Sequence, residues 1–433
     1  MNKTYRLKES KVFCMVPWVH MFNSPSGDIQ PCCVSLDGTM GNLYDTSVSD
    51  IWNNERYKQF RKELLSDQES KHCERCYKEE SWGNNATLRK QFNTDFADYY
   101  DQLVDQSTDN DGIVNRMNLL RWDFRFSNLC NLACIGCSPE YSSTWGPLYS
   151  KMNTEYKEVQ FKNSNKNKEK FIDIIKSQTD KVVKIYFAGG EPLIQPEHYQ
   201  ILEEIKNQNR LDKIDITYST NLNTMTYKST NVIDYWKKMT KLRVLISIDE
   251  IDNDRLHYIR YPSKLDKIID NIRNLNKELD KSGQDWVITP TWNILNMHRI
   301  KEIVKYFFDN DLLPRTFYNS YIWEYDVHNI ILANPKRLNV AGANSVHKAL
   351  IHEKLNDYES WYINTLIPLK SIGLRNHSVK IIQSQMERFH KAVDENIDTN
   401  LEDRTHWINL LDKVRDTDFK KIFPELHSLI EKT

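Results

Sequence analysis

Phe126-Ser-Asn-Leu-Cys130-Asn-Leu-Ala-Cys134-Ile-Gly-Cys137 is the stretch that decides how this chain reads. The spacing C-x3-C-x2-C sets three thiols on one short loop, too close together for three independent buried side chains. Three soft sulfur ligands without a histidine or fourth cysteine nearby suit iron better than zinc. A cube of four irons held by three thiolates keeps one iron free to bind something else. The plainer reading, structural or accidental cysteines, weakens once a second motif is counted. About fifty positions beyond Cys137, the apolar run Val182–Ala188 ends in Gly189-Gly190-Glu191-Pro192. Two glycines let the backbone approach a ligand closely at a strand's carboxyl end. The carboxylate can accept hydrogen bonds from an ammonium group, and the proline stops the strand.

Together the cysteine loop and G-G-E-P resemble the radical S-adenosylmethionine (SAM) superfamily. The resemblance implies that Cys130, Cys134 and Cys137 carry a catalytic [4Fe-4S] cluster whose free iron is chelated by SAM. Reductive cleavage of SAM then gives a 5′-deoxyadenosyl radical. Gly189, Gly190, Glu191 and Pro192 would hold the SAM amino group. An electron donor such as flavodoxin or ferredoxin is implied as a partner.

From residue 119 onward, strand and helix patterns alternate. Strands are expected at Leu119–Phe126, Val182–Ala188, Ile214–Tyr218, Leu242–Ile248, Trp286–Thr291 and near Phe317–Tyr325. Between them, helices are expected around Phe171–Ile175, Tyr199–Ile205 and Val232–Met239. Leu265, Ile268, Ile269, Ile272 and Leu275 share one helical face, and so do Ile300, Ile303, Val304, Phe307 and Phe308. Such alternation implies parallel βαβ units. Six units match the α/β partial (β/α)6 barrel of the radical SAM family, whose function belongs at the carboxyl ends of the strands. Ser219-Thr220-Asn221 falls at one such end.

The same resemblance extends to the strand end Ser247-Ile248-Asp249 and to Arg260, which would reach the SAM ribose and carboxylate. It also extends to Asn221 and to Asn296, after the fifth strand, as SAM contacts. A turn aspartate, a surface arginine and capping asparagines are the plainer alternatives. Tyr321, Trp323 and Tyr325 alternate on one face of the sixth strand, where they either line a substrate pocket or pack under later helices.

Five further cysteines precede the barrel, in the pattern C-x12-G-x4-C from Cys14 through Gly27 to Cys32, with Cys33 adjacent and Cys73-x2-Cys76 beyond. This is similar to the SPASM and twitch auxiliary-cluster modules, as are Gly41-Asn42-Leu43, Ile51-Trp52-Asn53 and Arg61. Ser47 with Asp50 reads as a capping box opening a helix through Ile51, Trp52, Phe60 and Leu64. The twitch form implies that Cys14, Cys32, Cys73 and Cys76 ligate a second, auxiliary [4Fe-4S] cluster, leaving Cys33 out. A four-cysteine zinc site is the competing reading. Known modules usually follow the barrel; here the module comes first.

The expected organisation is an auxiliary-cluster module over 1–90, an acidic helix and linker over 91–118, the barrel over 119–330 and a helical extension over 331–433. Asp95, Asp98, Asp101, Asp105, Asp109 and Asp111 read as a solvated face rather than a docking surface. A formal net charge of −1 gives no footprint for nucleic acid or an anionic membrane. Lys3, Arg6, Lys8 and Lys11 argue against a secretory signal, no run reaches a bilayer-spanning length, and clustered cysteines suit metal binding in the cytoplasm. His347 and His352 are too loosely spaced to suggest a metal pair.

Three function classes remain. The first is a twitch-type dehydrogenase that oxidises a small sugar- or cyclitol-type substrate. The second is a radical SAM enzyme that modifies a peptide, which is disfavoured because the segment before Cys14 is too short for a peptide-binding winged helix. The third is a non-catalytic iron–sulfur or zinc scaffold.

Overall fold

The computed structural model describes residues 2–35, 37–81, 87–152, 175–279, 283–313, 330–332, 334–397 and 401–429. The chain divides into two compact units. One comprises Met1–Asn128 with Lys162–Thr217, the other Leu129–Phe161 with Tyr218–Thr433. The division falls inside the strand Asp215–Thr220.

In the first unit the strands lie in the order Gly41–Asn42, Asp28–Gln30, His20–Asn23, Arg121–Phe124, Lys184–Phe187. The last three run parallel, with His20 opposite Arg121 and Arg121 opposite Lys184. Trp122, Phe124, Ile185 and Phe187 alternate with polar residues and are all buried. Each such side chain contributes about 1.5–3 kcal/mol on burial. The cysteine-rich segment therefore lends a strand, His20–Asn23, to the same sheet as the first barrel strand. Gly27 makes the turn into Asp28–Gln30 at φ +81°, where other side chains are strained.

Ser47 caps the helix Val48–Trp52 by accepting the Asp50 N–H at 3.1 Å. That helix stops sooner than its apolar spacing suggests, because Asn54 caps a second one, Glu55–Leu65. Between them the Asn53 side chain accepts from Arg61 and from the Val114 N–H, both at 3.0 Å. Arg61 is fully buried and also donates to the carbonyls of Pro17, Trp52 and Gly112. Of the acidic run, Asp95, Asp101 and Asp105 pair with Lys184, Lys3 and Arg6, so this face is ion-paired as well as solvated.

In the second unit Lys241–Ile246 and Gln284–Ile288 pair in parallel, Leu242 opposite Gln284 through Ile246 opposite Ile288. The helix Leu265–Glu278 joins them and buries all five of the apolar residues expected on its face. Ile300–Asp309 buries Ile300, Ile303, Val304 and Phe307, with Phe308 half-buried against Trp361. Only Ile233–Trp236 is helical in the segment Val232–Met239. The expected strand Phe317–Tyr325, with Tyr321, Trp323 and Tyr325, lies outside the described residues, as do 171–174.

Ser345–Trp361, Ile372–Asp394 and Leu401–Arg415 form the long helices of the C-terminal part. Trp407, Ile408, Leu411, Phe419, Phe423 and Leu426 pack with Ala133, Ile135, Trp145 and Tyr258. The tail thus encloses the segment that carries the cysteine loop. Among the described residues no helix is long and apolar enough to cross a membrane.

Candidate metal centres

In the first unit Cys14 stands just before the helical turn Val16–Val19, and Cys32 follows the strand Asp28–Gln30. Cys73 and Cys76 lie one turn apart at the start of the helix Glu74–Ser81, so their side chains share a face. All four thiols are buried and line one pocket, together with Pro31, Phe60, His72 and Arg89. Cys33 is exposed and is not part of that lining.

The thiols of Cys14 and Cys32 are held well above the ordinary range, first by burial and then by neighbouring sulfurs. Cys73 is pushed up to about 12 for the same reasons, against a hydrogen bond from Tyr77. Four buried thiols coupled in this way resist ionisation unless a cation neutralises them, which is what an iron–sulfur cluster supplies. The residues fit the group. Arg89, on the pocket wall, is clamped by the Glu80 carboxylate and donates to the carbonyls of Ser10 and Phe13 at 3.1 and 2.8 Å. It thereby fixes the chain entering Cys14.

In the second unit Cys130, Cys134 and Cys137 are half-exposed. Hydroxyls of the following segment stake the loop. Thr144 donates to the Cys130 carbonyl and Ser142 to the Leu132 carbonyl, both at 2.5 Å, while Ser143 accepts from the Cys130 N–H at 3.3 Å. The strand pair Arg260–Tyr261 and Ala133–Cys134 sets Arg260 opposite Cys134. The Arg260 guanidinium donates to the Cys134 sulfur at 3.7 Å and to Asp249 at 3.0 Å, with Nε 2.7 Å from the second carboxylate oxygen. Burial raises the Cys134 thiol and Arg260 draws it back down; burial and then Cys134 push Cys137 up to about 12. The Cys134 and Cys137 thiols interact beside a fixed cation, and Cys130 lies four residues earlier on the same loop. Among the described residues no three His, Cys, Asp or Glu side chains are closed in the geometry of a single bound ion.

The other expected residues have distinct surroundings. Asn221 donates to the Asn131 side chain at 2.8 Å, inside the cysteine loop. Asn296 is fully buried and donates to the carbonyls of Asp249 and Thr291 at 3.0 and 3.2 Å. Its oxygen accepts the Asn293 N–H at 2.8 Å. Asp249 also accepts the Thr291 N–H at 2.7 Å. Asn221, Asp249, Arg260 and Asn296 are thus linked to one another or to the loop, whereas the Ser247 hydroxyl bonds to none of the described residues. In the first unit Gly189 takes φ +120°, and a Cβ there would lie 3.1 Å from the Arg125 side chain. Glu191 is buried and accepts the Leu193 N–H at 3.1 Å, capping the turn Pro192–Ile194. His347 donates to the Ile294 carbonyl at 3.0 Å, and His352 stacks on His390 of another helix. The sequence reading missed Asn131, the Ser142–Thr144 hydroxyls, Tyr77, Arg89 and Arg415; only the run Ser-Ser-Thr next to the cysteines could have signalled any of them.

The radical SAM superfamily model matches residues 124–307, and the SPASM model, an iron–sulfur cluster-binding domain, matches residues 14–77. Residues 124–307 thus carry a radical SAM domain, with its partial-barrel fold, and residues 14–77 an N-terminal SPASM domain. These domains imply SAM, a [4Fe-4S] cluster and an auxiliary iron–sulfur cluster. Among curated proteins it is similar to GTP 3′,8-cyclase 1 of Mycobacterium tuberculosis, 26% identical over 165 residues, which is 37% of this chain and 41% of that protein. The chain thus matches about two fifths of that relative's length. Among solved structures it is similar to native anSMEcpe with bound AdoMet, at TM-score 0.38 and 15% identity over 55% of this chain and 60% of that one. It is also similar to Streptococcus suis SuiB bound to precursor peptide SuiA, at TM-score 0.37 and 15% identity over 72% of this chain and 60% of that one.

Proposed function

We propose that this radical SAM enzyme is dehydrogenase-like, removing a hydrogen atom from a hydroxyl-bearing carbon of a small sugar- or cyclitol-type molecule. The products are the corresponding carbonyl compound, 5′-deoxyadenosine and methionine, the leaving group of SAM, with one proton released and one electron withdrawn from the substrate radical. Cys130, Cys134 and Cys137 hold the SAM-binding cluster, and Cys14, Cys32, Cys73 and Cys76 hold the auxiliary one. When bound, the two clusters supply the one-electron chemistry: reduction of SAM to the 5′-deoxyadenosyl radical, and uptake of the electron that the substrate radical must lose.

The observation that carries this reading is the pocket of four buried thiols. Four thiolates leave no iron open, so the auxiliary site is suited to electron transfer rather than to binding substrate. Glu191 is assigned to the SAM ammonium, as are Gly189, Gly190 and Pro192 to shaping its turn. Ser247 offers SAM a hydroxyl that bonds to none of the described residues. Arg260 is oriented by Asp249, while Asn221 and Asn296 act at one remove, through Asn131 and Asp249. A flavodoxin or ferredoxin supplies the first electron.

The test is to incubate the reconstituted enzyme with SAM, a reductant and deuterated polyol or peptide pools. Deuterium should enter 5′-deoxyadenosine from a polyol. Cys73→Ala with Cys76→Ala should still cleave SAM but give no carbonyl product. Turnover with peptides alone, or undiminished product from that variant, would contradict the proposal.

A further inference from the structure

Arg415 ends the last long helix of the chain and is only 6% exposed, yet its guanidinium reaches away from that helix. It donates to the Ala133 carbonyl at 2.7 Å and to the Tyr258 carbonyl at 2.8 Å. Ala133 precedes Cys134, and Tyr258 belongs to the helix leading into Arg260. The plane is gripped by two rings, with its carbon 5.0 Å from the Trp145 centroid and 4.8 Å from that of Tyr261. A planar fork between two aromatic faces is a geometry lysine cannot reproduce.

The charge is held next to the loop as well as to its backbone, since the Ala133 carbonyl that Arg415 binds immediately precedes Cys134. Burial depresses Arg415 itself only to about 10, so it stays cationic at neutral pH. Among the described residues no carboxylate lies within ion-pair distance of it, unlike Arg260 with Asp249. Farther along the tail, Glu425 accepts from Arg255 at 2.6 and 3.0 Å and meets His298 at 2.9 Å, so the extension is pinned at a second point.

We propose that Arg415 is a positioning residue that holds the cysteine loop in place from the C-terminal extension and keeps a positive charge beside Cys134, helping to set the reduction potential of the SAM-binding cluster. The inference rests on Cys130, Cys134 and Cys137 being that cluster's ligands. A nearby cation favours the reduced, more negative cluster, so removing it should make the potential more negative. The tail would then be part of the radical-generating machinery as well as a cover for it.

The test compares wild type, Arg415→Gln and Arg415→Lys, full length and anaerobically reconstituted, by iron content and by redox titration of the EPR signal that SAM perturbs. In Arg415→Gln the potential of that signal should move to more negative values, while the signal that SAM leaves alone keeps its own. Arg415→Lys should lower the melting temperature but keep a potential near wild type. Should Arg415→Gln fail to fold, the lysine variant decides: a potential near wild type supports the assignment, and a shifted one overturns it. A wild-type potential in Arg415→Gln, or equal shifts at both clusters, would also overturn it. A wild type without any SAM-perturbed signal would instead defeat the ligand assignment beneath it.

Discussion

Replacing Arg260 by methionine should be among the most damaging single changes in the second unit. Asp249 is 3% exposed and accepts two contacts from the Arg260 guanidinium, at 2.7 and 3.0 Å, besides the Thr291 N–H at 2.7 Å. Burial by itself would lower the arginine, but the Asp249 carboxylate outweighs it and holds Arg260 above its ordinary range. Methionine keeps most of the apolar stem and removes the charge, leaving Asp249 ionised, buried and supported by one amide. Breaking a buried pair on one side costs about 3–5 kcal/mol. Converting both partners to neutral groups is far milder, so Arg260→Met with Asp249→Asn should recover about 2 kcal/mol or more of the summed single costs. Anaerobic urea unfolding followed by tryptophan fluorescence gives all four corners of this cycle. A single-variant cost below about 1 kcal/mol, the range of exposed pairs, or strict additivity would refute the reasoning.

Arg61→Met should cost about 3 kcal/mol or more, since the carbonyls of Pro17, Trp52 and Gly112 each lose a buried donor worth about 1 kcal/mol; a midpoint unchanged in urea would contradict this. Cys33→Ser should leave the iron content unchanged while Cys32→Ser lowers it, measured on anaerobically reconstituted protein; equal losses would show that the two neighbours are interchangeable. Burial would raise the Glu425 carboxyl, but hydrogen bonds from His298 and Arg255 outweigh it and hold the group well below its usual range. Its stabilising effect is therefore present above the unfolded value of about 4.3 and is lost as pH falls below it. The melting-temperature advantage of wild type over Glu425→Gln should be constant from pH 6 to 5 and shrink towards pH 3; a gap that persists would sink the idea.

What the chain disclosed in advance was the part where chemistry dictates residue identity at fixed spacing. Three thiols around a cluster, or two glycines before a carboxylate, leave little freedom, and the radical SAM and SPASM matches at 124–307 and 14–77 agree with that reading. Barrel strands were legible because apolar residues alternate in Leu242, Val244 and Ile246, and the helix Leu265–Glu278 because its five apolar residues recur at helical spacing. The strand His20–Asn23 was hidden, being four residues long and buried throughout, so it has no alternation to read. The break before Asn54 was hidden because Ile51, Trp52, Phe60 and Leu64 keep a continuous apolar rhythm across it. Arg415 could not be foreseen at all: its hydrogen bond to Ala133 spans 282 positions, and no local pattern encodes a partner that far away.

The account's central claim is that Cys130, Cys134 and Cys137 hold the cluster that cleaves SAM, separately from the four-thiol site. The most direct measurement is iron content together with 5′-deoxyadenosine release by the variant in which these three cysteines are alanine. Wild type should hold about eight irons, two four-iron cubes, and release 5′-deoxyadenosine once reduced. The variant should keep about half the iron, with an EPR signal that SAM does not perturb, and release no 5′-deoxyadenosine. Continued SAM cleavage by the variant would contradict the claim.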